Sequence, residues 1–96
     1  MDGRKVKPRN QIIEEALELI NGDRADQYGD CLENFENIAV GWSRILRVKV
    51  RAYQVPLCED WTKTCRIIQT WDHQDSWRDK CGYPPLGWEC VVRSKK

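Results

Sequence analysis

Apolar residues recur at helical spacing in two segments of the first half of the chain. In the first segment, Asn10 is a suitable N-cap, and Gly22 is placed to end the helix as a C′ residue. In the second, Asp30 is placed to cap a helix, and Glu33 follows at the spacing of a capping box. The stripes predicted to face a core are Ile12, Ile13, Ala16, Leu17 and Ile20 in the first helix, and Leu32, Phe35, Ile38, Ala39, Trp42, Ile45 and Leu46 in the second.

Two further helices are predicted in the second half. Val55 and Pro56 start the third, because proline fits the first helical position, and its predicted inward residues are Leu57, Trp61, Cys65 and Ile68. The fourth begins near residues 72–75 and runs toward Gly82. A break is expected over residues 82–85, since an interior proline costs about 3 kcal/mol, and a short final helix or an extended tail follows. No segment alternates as a strand does, so the pattern predicts an all-α fold, a small bundle of about four helices.

The amino-acid composition excludes some classes of protein but does not identify a function. The 96 residues include 16 Lys plus Arg and 15 Asp plus Glu, and this balance gives no argument for steering toward nucleic acid or a membrane. We expect one helical domain over residues 10–93, preceded by a flexible basic arm of residues 1–9. Five cysteines without a C-x-x-C pair are typical of reduced cytoplasmic thiols, and no apolar run is long enough to predict a membrane span.

Four motif blocks follow one another between residues 11 and 90. They are R-x-x-x-Y-G-D at 24–30, L-E-N-F-x-x-I-A-x-x-W at 32–42, K-x-x-R at 63–66, and H-x-D-S-W-x-D-x-x-G-Y at 73–83. Together the blocks resemble a family of small phage and prophage proteins of unknown function. In layout that family is similar to the all-α nucleoside triphosphate pyrophosphatases of the MazG and dimeric dUTPase type.

The resemblance to these pyrophosphatases implies a magnesium site. Such enzymes bind Mg²⁺ through E-x-x-E on one helix and an acidic pair on a later one, and the counterparts here are Glu33, Glu36, Asp75 and Asp79. Carboxylates at i and i+3 share a helix face and supply the hard oxygen ligands that Mg²⁺ prefers. The chain departs from the enzyme pattern, because the gap between the acids is long and the second cluster has no Glu. The alternative is that Glu33 acts as a capping residue and Glu36 lies on a solvated face.

A polar pocket is expected at one end of the apolar core, around Arg24, Tyr28 and Asn34. A guanidinium binds phosphate bidentately, and a phenol ring offers a flat face to a base. Equally, Arg24 and Tyr28 could tie their loop to the bundle. Asn34 is next to an apolar stripe, where an amide needs hydrogen-bond partners. We expect Lys63 and Arg66, from the third helix, to contribute to the opposite wall of this pocket.

Two functions from different classes fit this pattern, and whether the protein is an enzyme stays open. The first is a phage-encoded nucleotide-binding protein, whose enzymatic form would be an Mg²⁺-dependent pyrophosphatase acting on a nucleoside triphosphate. The second is a non-catalytic phage protein that binds a host protein or a signalling nucleotide to counter host defence. Either would act in the host cytoplasm.

Two surface features complete the prediction. Five tryptophans are many for 96 residues, so we expect most to anchor a core or an interface, and the chain to be a homo-oligomer, at least a dimer. Arg44, Arg47 and Arg51 follow at i, i+3 and i+7 as a basic ridge. With a net charge of +1, this ridge favours a solvated or partner-facing surface over a reader of nucleic acid.

Overall fold

Four helices make up the described part of the chain. The computed structural model describes residues 7–22 and 29–95, and no strand lies within these ranges. The helices are α1 (Pro8–Asn21), α2 (Cys31–Leu46), α3 (Gln54–Gln69) and α4 (Gln74–Ser94). The predicted all-α bundle is therefore confirmed. The last helix, α4, contacts all three others, and α3 and α1 most extensively. In the described ranges, no helix combines the length and apolar character needed to cross a bilayer.

The first helix begins before its predicted cap. Lys7 is the N-cap residue and makes no capping hydrogen bond through its side chain, while Asn10 lies inside the first turn. The Asn10 cap is therefore wrong, because Pro8 has the fixed φ suited to the first helical position. Gly22 does end the helix, although in an extended conformation. A Cβ at Gly22 would lie 2.7 Å from the carbonyl oxygen of Glu18, so close approach rather than positive φ requires glycine there.

The second helix starts as predicted. Asp30 is its N-cap, and the Asp30 Oδ2 accepts a hydrogen bond from the Glu33 N–H at 3.0 Å. Gly29, just before the cap, has a φ of +73°, which glycine adopts without strain. At the other end Arg47 is left-handed with a φ of 58°, and its N–H donates to the Ser43 carbonyl at 2.9 Å. The chain therefore leaves the helix axis at Arg47.

The fourth helix is unbroken through Pro84 and Pro85, so the predicted break over residues 82–85 is wrong. Each proline removes one backbone donor from the helix. The free-energy cost of the two prolines is outweighed because α4 packs along three other helices. A break at the prolines would lose the packing of the part of α4 that lies beyond it. The third helix starts at Gln54, one residue before the predicted Val55, so that Pro56 occupies its third position.

Two glycines let α4 approach its neighbours closely. A Cβ at Gly82 would lie 3.2 Å from Ile20 Cγ2 of α1, and a Cβ at Gly87 would lie 3.2 Å from Pro56 Cγ of α3. Both distances are shorter than ordinary packing contacts, so a side chain at either position would push the helices apart. Glycine thus marks close helix packing on both sides of the two prolines.

The apolar core is small. Among the described residues, the buried apolar side chains are Ala16, Phe35, Ala39, Val55, Pro56 and Cys90. Partly buried residues pack around Phe35, Ala39, Val55 and Cys90, and they include Leu32, Ile38, Trp42, Val50, Tyr53 and Leu86. The predicted stripe of α2 is therefore confirmed as far as Trp42. Its last turn is exposed, with Ile45 77% and Leu46 60% accessible.

The predicted inward stripe of α3 is wrong, because its residues face solvent. Leu57, Trp61 and Ile68 are 51%, 66% and 75% exposed, and Cys65 is also exposed. The third helix instead turns a charged side toward α4, where Lys80 Nζ lies 3.0 Å from Asp60 Oδ1. Periodicity identifies which side of a helix is apolar, but it does not identify what that side meets.

Other large apolar side chains are exposed as well. Ile13 and Leu17, predicted to face the core from α1, are 59% and 56% accessible. The exposed tryptophans are Trp61 at 66%, Trp71 at 75%, Trp77 at 44% and Trp88 at 64%. These four tryptophans therefore do not anchor the core of the single chain, and the alternative expectation that they anchor an interface stays a prediction.

Candidate functional site

A pocket of about 430 Å³, called here the central pocket, lies among the helices. Its apolar wall is formed by Leu19, Ile20, Phe35, Ile38 and Leu86. The polar groups in the wall are Cys31 and Asn34 of α2, Glu59 of α3, and Asp79 and Tyr83 of α4. An apolar cavity of this volume with a few polar side chains has the size and composition of a small-molecule site.

Asn34 stands out among these polar groups. It is half-buried on α2, one position before the core residue Phe35. Within the described ranges its side-chain amide makes no hydrogen bond. A primary amide offers two donors and one acceptor oxygen. At Asn34 these atoms are still open to solvent, because no buried side-chain nitrogen or oxygen among the described residues lacks a partner. Asn34 therefore brings unused hydrogen-bonding capacity to the pocket wall.

Asp79 is held by two cations. Lys63 Nζ lies 3.0 Å from Asp79 Oδ2, and Arg78 Nη2 lies 3.0 Å from Asp79 Oδ1. The side chains of Lys63 and Asp79 are only 16% and 21% exposed. Burial alone raises the pKa of Asp79, but the hydrogen bonds from Lys63 and Arg78 outweigh it and lower the pKa below its ordinary value. Asp79 is therefore ionised, and its charge is already balanced.

The four acids predicted as magnesium ligands occupy different places. Asp79 lines the central pocket, whereas Glu36 lines a separate cavity. Glu33 is exposed in the first turn of α2, and Asp75, 62% exposed, pairs with Arg78 at 3.3 Å. Across residues 7–22 and 29–95, no three His, Cys, Asp or Glu side chains are grouped so that they could hold a metal ion. The described donors do not fit Mg²⁺ as a ready ligand set, so its binding stays a prediction.

The predicted ligand-binding residues are divided in the same way. Arg24 and Tyr28 lie outside the described residues. Arg66 is exposed on α3 and is not part of the pocket wall. Lys63 reaches the wall through its ion pair with Asp79. Of the described residues in this set, Asn34 alone lines the pocket, and Lys63 is linked to the wall only through Asp79.

Two residues in the pocket wall, Glu59 and Tyr83, are missed by the sequence reasoning. Glu59 lies four residues after the buried Val55, and Tyr83 lies four residues after Asp79, so each shares a helix face with an inward residue. This spacing is the signal by which the sequence could have identified both residues. For Glu59 the signal conflicts with the apolar stripe of α3, which predicts a different inward side of that helix.

A second group of polar side chains joins the start of α2 to the end of α4. Arg93 donates to Asp30 Oδ2 and to Glu89 Oε2, each at 3.1 Å. The Cys31 thiol donates to Glu89 Oε2 at 3.1 Å. Burial, followed by the hydrogen bond to Glu89, raises the pKa of Cys31 from 9.0 to about 12. Cys31 is therefore a neutral thiol at physiological pH and not an activated nucleophile.

This pKa shift predicts a loss of stability in alkali. Because the folded pKa of Cys31 is raised, its contribution is complete below pH 9.0 and is lost as pH rises toward about 12. We expect the stability of the wild-type protein, relative to Cys31→Ala, to fall over this interval. Urea unfolding at several pH values measures the difference, with Cys65→Ala, an exposed cysteine, as the control. A difference that stays constant above pH 9 would contradict the prediction.

Comparison with known proteins gives a family match. The family described as a domain of unknown function, DUF6378, matches residues 11–91. The chain is similar to the Gene 55 protein of Mycobacterium phage D29, with 38% identity over 72 residues, covering 75% of this chain and 48% of that protein. It is also similar to the Gene 55 protein of Mycobacterium phage L5, with 38% identity over 73 residues, covering 75% and 47%. The chain thus spans about half the length of these curated relatives. No solved structure matches it.

Proposed function

The chain belongs to the DUF6378 family, a phage protein family of unknown function, and on that premise we propose that it binds a nucleotide in the central pocket. The observation that carries this proposal is Asn34, a half-buried amide without a partner among the described residues, in the wall of an apolar pocket. A nucleobase is a flat apolar ring system with donors and acceptors on its edge. It therefore matches both the apolar wall and the amide.

The carboxylates in the wall support a base rather than a phosphate at this point. Glu59 and Asp79 both line the pocket, and ionised carboxylates only accept hydrogen bonds. The charge of Asp79 is already balanced by Lys63 and Arg78. Glu59, which forms no ion pair among the described residues, would favour the amino groups of a base edge and repel a phosphate. The phosphate end of the ligand would then point out of the pocket, where Arg24 and Arg66 remain the proposed cationic partners. Tyr28 is proposed as the stacking partner of the base.

Two finer functions are proposed for this nucleotide site. One is Mg²⁺-dependent hydrolysis of a nucleoside triphosphate, in which Glu33, Glu36, Asp75 and Asp79 would have to move together around the ion. The other is metal-independent capture of a signalling nucleotide in the host cytoplasm to counter host defence. The second is favoured because Asp75 and Asp79 already pair with Arg78, and Asp79 also with Lys63, which leaves those carboxylates poorly placed to bind an ion.

A panel of nucleosides, nucleoside mono- and triphosphates, and cyclic dinucleotides, each with and without Mg²⁺, tests the site by thermal unfolding. A ligand at about 100 times its Kd stabilises the folded state by about 2.7 kcal/mol. For a domain of about 100 residues, this raises Tm by about 10 °C or more. The shift should disappear in Asn34→Ala and persist in the matched control Asn37→Ala, which changes an exposed amide of the same helix.

The remaining outcomes separate the two finer functions. A shift by triphosphates that requires Mg²⁺ and is lost in Glu36→Gln would support hydrolysis. A shift by a signalling nucleotide without metal would support capture. If no nucleoside or nucleotide at millimolar concentration changes Tm, the nucleotide site is refuted and the non-catalytic host-protein function remains.

We also propose that the protein is a homo-oligomer. The outward sides of α3 and α4 carry Leu57, Trp61 and Ile68, and Trp77, Trp88 and Val92, all exposed in the single chain. Soluble monomers rarely expose apolar patches larger than a few hundred Å². A second copy is the proposed occupant, because a chain of 96 residues with so few buried apolar side chains needs further apolar burial for its own stability.

A further inference from the structure

The connection between α2 and α3 is a short loop that hydrogen bonds hold in place. Ser43 Oγ accepts the N–H of Val50 at 2.8 Å and donates to the Ala39 carbonyl at 2.7 Å. Gln54 Oε1 accepts the N–H of Arg51 at 2.7 Å. These bonds attach the loop to the last turns of α2 and to the first turn of α3. The Cα positions of its basic residues are therefore fixed relative to α2.

This loop closes one side of an open cavity of about 470 Å³, called here the basic cavity. Three cationic residues line it: Arg44 from α2, and Lys49 and Arg51 from the loop. Within the described part of the chain, none of the three forms an ion pair. The acid in the same lining is Glu36, so cations outnumber acids three to one. Unpaired cations around a concavity create a local positive potential.

The arrangement differs from the ridge that the spacing of Arg44, Arg47 and Arg51 predicts. The helix ends at Leu46, and Arg47 turns into the left-handed conformation. As a result, Lys49 lines the cavity and Arg47 does not. A nucleic-acid strand is bound along an extended basic track, whereas cations that surround a concavity suit one compact group with several negative charges. The arginine fork matches the oxygens of phosphate in particular.

We propose that the basic cavity binds a compact polyphosphate, the di- or triphosphate group of a small ligand, through Arg44, Lys49 and Arg51. The cavity is a second site, because its lining shares no residue with that of the central pocket. Glu36, in the same lining, opposes binding of the anion. This assigns Glu36 a role opposite in sign to that of a magnesium ligand.

Inorganic tripolyphosphate is the probe, titrated calorimetrically into the full chain in low salt without Mg²⁺. Arg44→Gln and Lys49→Gln are each expected to weaken binding on the order of tenfold or more, as loss of one charge-assisted hydrogen bond does. Glu36→Gln is expected to tighten it. Arg47→Gln is the matched control, because it removes a neighbouring exposed arginine that does not line the cavity. Raising the salt concentration from about 50 to 200 mM should weaken binding in the wild type.

Two readouts keep this site distinct from the nucleotide proposal. Tripolyphosphate affinity should be unchanged in Asn34→Ala. The polyphosphate site in the basic cavity is therefore tested independently of the nucleotide site in the central pocket, and either can be refuted without the other. The melting temperature of each variant is also measured, and it should stay close to that of the wild type, since replacing an exposed cation without a partner has little effect on stability. If Arg44→Gln nevertheless unfolds, Lys49→Gln in the loop gives the same comparison.

Three results would overturn the proposal. The first is equal weakening in Arg47→Gln, which would indicate general charge attraction. The second is Mg²⁺-dependent binding that Glu36→Gln abolishes, which would assign the cavity to a metal. The third is tighter binding of a single-stranded oligonucleotide than of tripolyphosphate with the same dependence on Arg44 and Lys49, which would assign it to nucleic acid.

Discussion

Replacing Asp79 with asparagine is expected to lower the free energy of unfolding by about 2 to 4 kcal/mol. The variant leaves Lys63, which is 16% exposed, without its carboxylate partner, and an uncompensated shielded charge is among the costliest single changes. Urea unfolding at pH 7 measures the loss. Because the pKa of Asp79 is lowered in the fold, its contribution is present above about pH 4 and is lost as pH falls further. The difference between wild type and variant should therefore shrink in acid.

The matched control is Asp75→Asn. Asp75 pairs with the same Arg78 but is 62% exposed, and exposed pairs contribute about 0 to 1 kcal/mol. The double variant Lys63→Met, Asp79→Leu should regain most of the stability, because it removes both charges together. Equal losses in the free energy of unfolding for Asp79→Asn and Asp75→Asn would contradict the prediction, because the shielded Lys63–Asp79 pair would then stabilise the fold no more than an exposed pair. They would leave Asp79 available for a role in ligand or metal binding.

The second large effect concerns assembly. We expect the wild-type protein to show about twice the chain mass of 11.3 kDa in solution, and Trp61→Glu or Trp88→Glu to show the mass of one chain. Trp61, Trp71 and Trp88 are 66%, 75% and 64% exposed, and a tryptophan offers about 150 to 250 Å². These three alone therefore present about 300 to 500 Å², a large part of the roughly 800 Å² that one partner buries in a standard interface.

Light scattering coupled to size exclusion at micromolar concentration measures this mass. The control is Thr62→Glu, which places the same charge on an exposed neighbour about 100° around α3 from Trp61. A wild-type protein of single-chain mass would refute the dimer. A dimer that withstands both tryptophan variants would locate the interface elsewhere on the chain.

Local signals allowed much of the helical structure to be predicted from sequence. Asp30 and Glu33 gave the correct start of α2, because a capping hydrogen bond joins residues three apart and needs no distant partner. The apolar stripe of α2 up to Trp42 was correct for a similar reason. The motif blocks also gave the correct kind of family, whereas the likeness to pyrophosphatases stays a prediction.

The prediction for α4 was wrong because it considered only the local cost of proline inside a helix. Pro84 and Pro85 would end an isolated helix, and the sequence contains no local sign of the packing that holds α4 together across them. Gly82 and Gly87 were the indirect sign, since each marks a close approach to another helix. The sequence alone does not distinguish a glycine in a turn from a glycine in a tight helix contact, because the difference lies in its neighbours in space.

The sequence by itself indicated four helices and the polar character of the residues around Asn34, because capping and periodicity depend on residues within one or two turns. It did not indicate that α4 continues past Pro84 and Pro85. Only the tertiary structure decided which sides of the helices meet. It paired Lys63 with Asp79, turned the apolar side of α3 to solvent, and separated Glu36 from Asp79. It also gathered Arg44, Lys49 and Arg51 around one cavity. The physical reason is that contacts between distant segments depend on how whole helix faces fit together, which no local pattern contains.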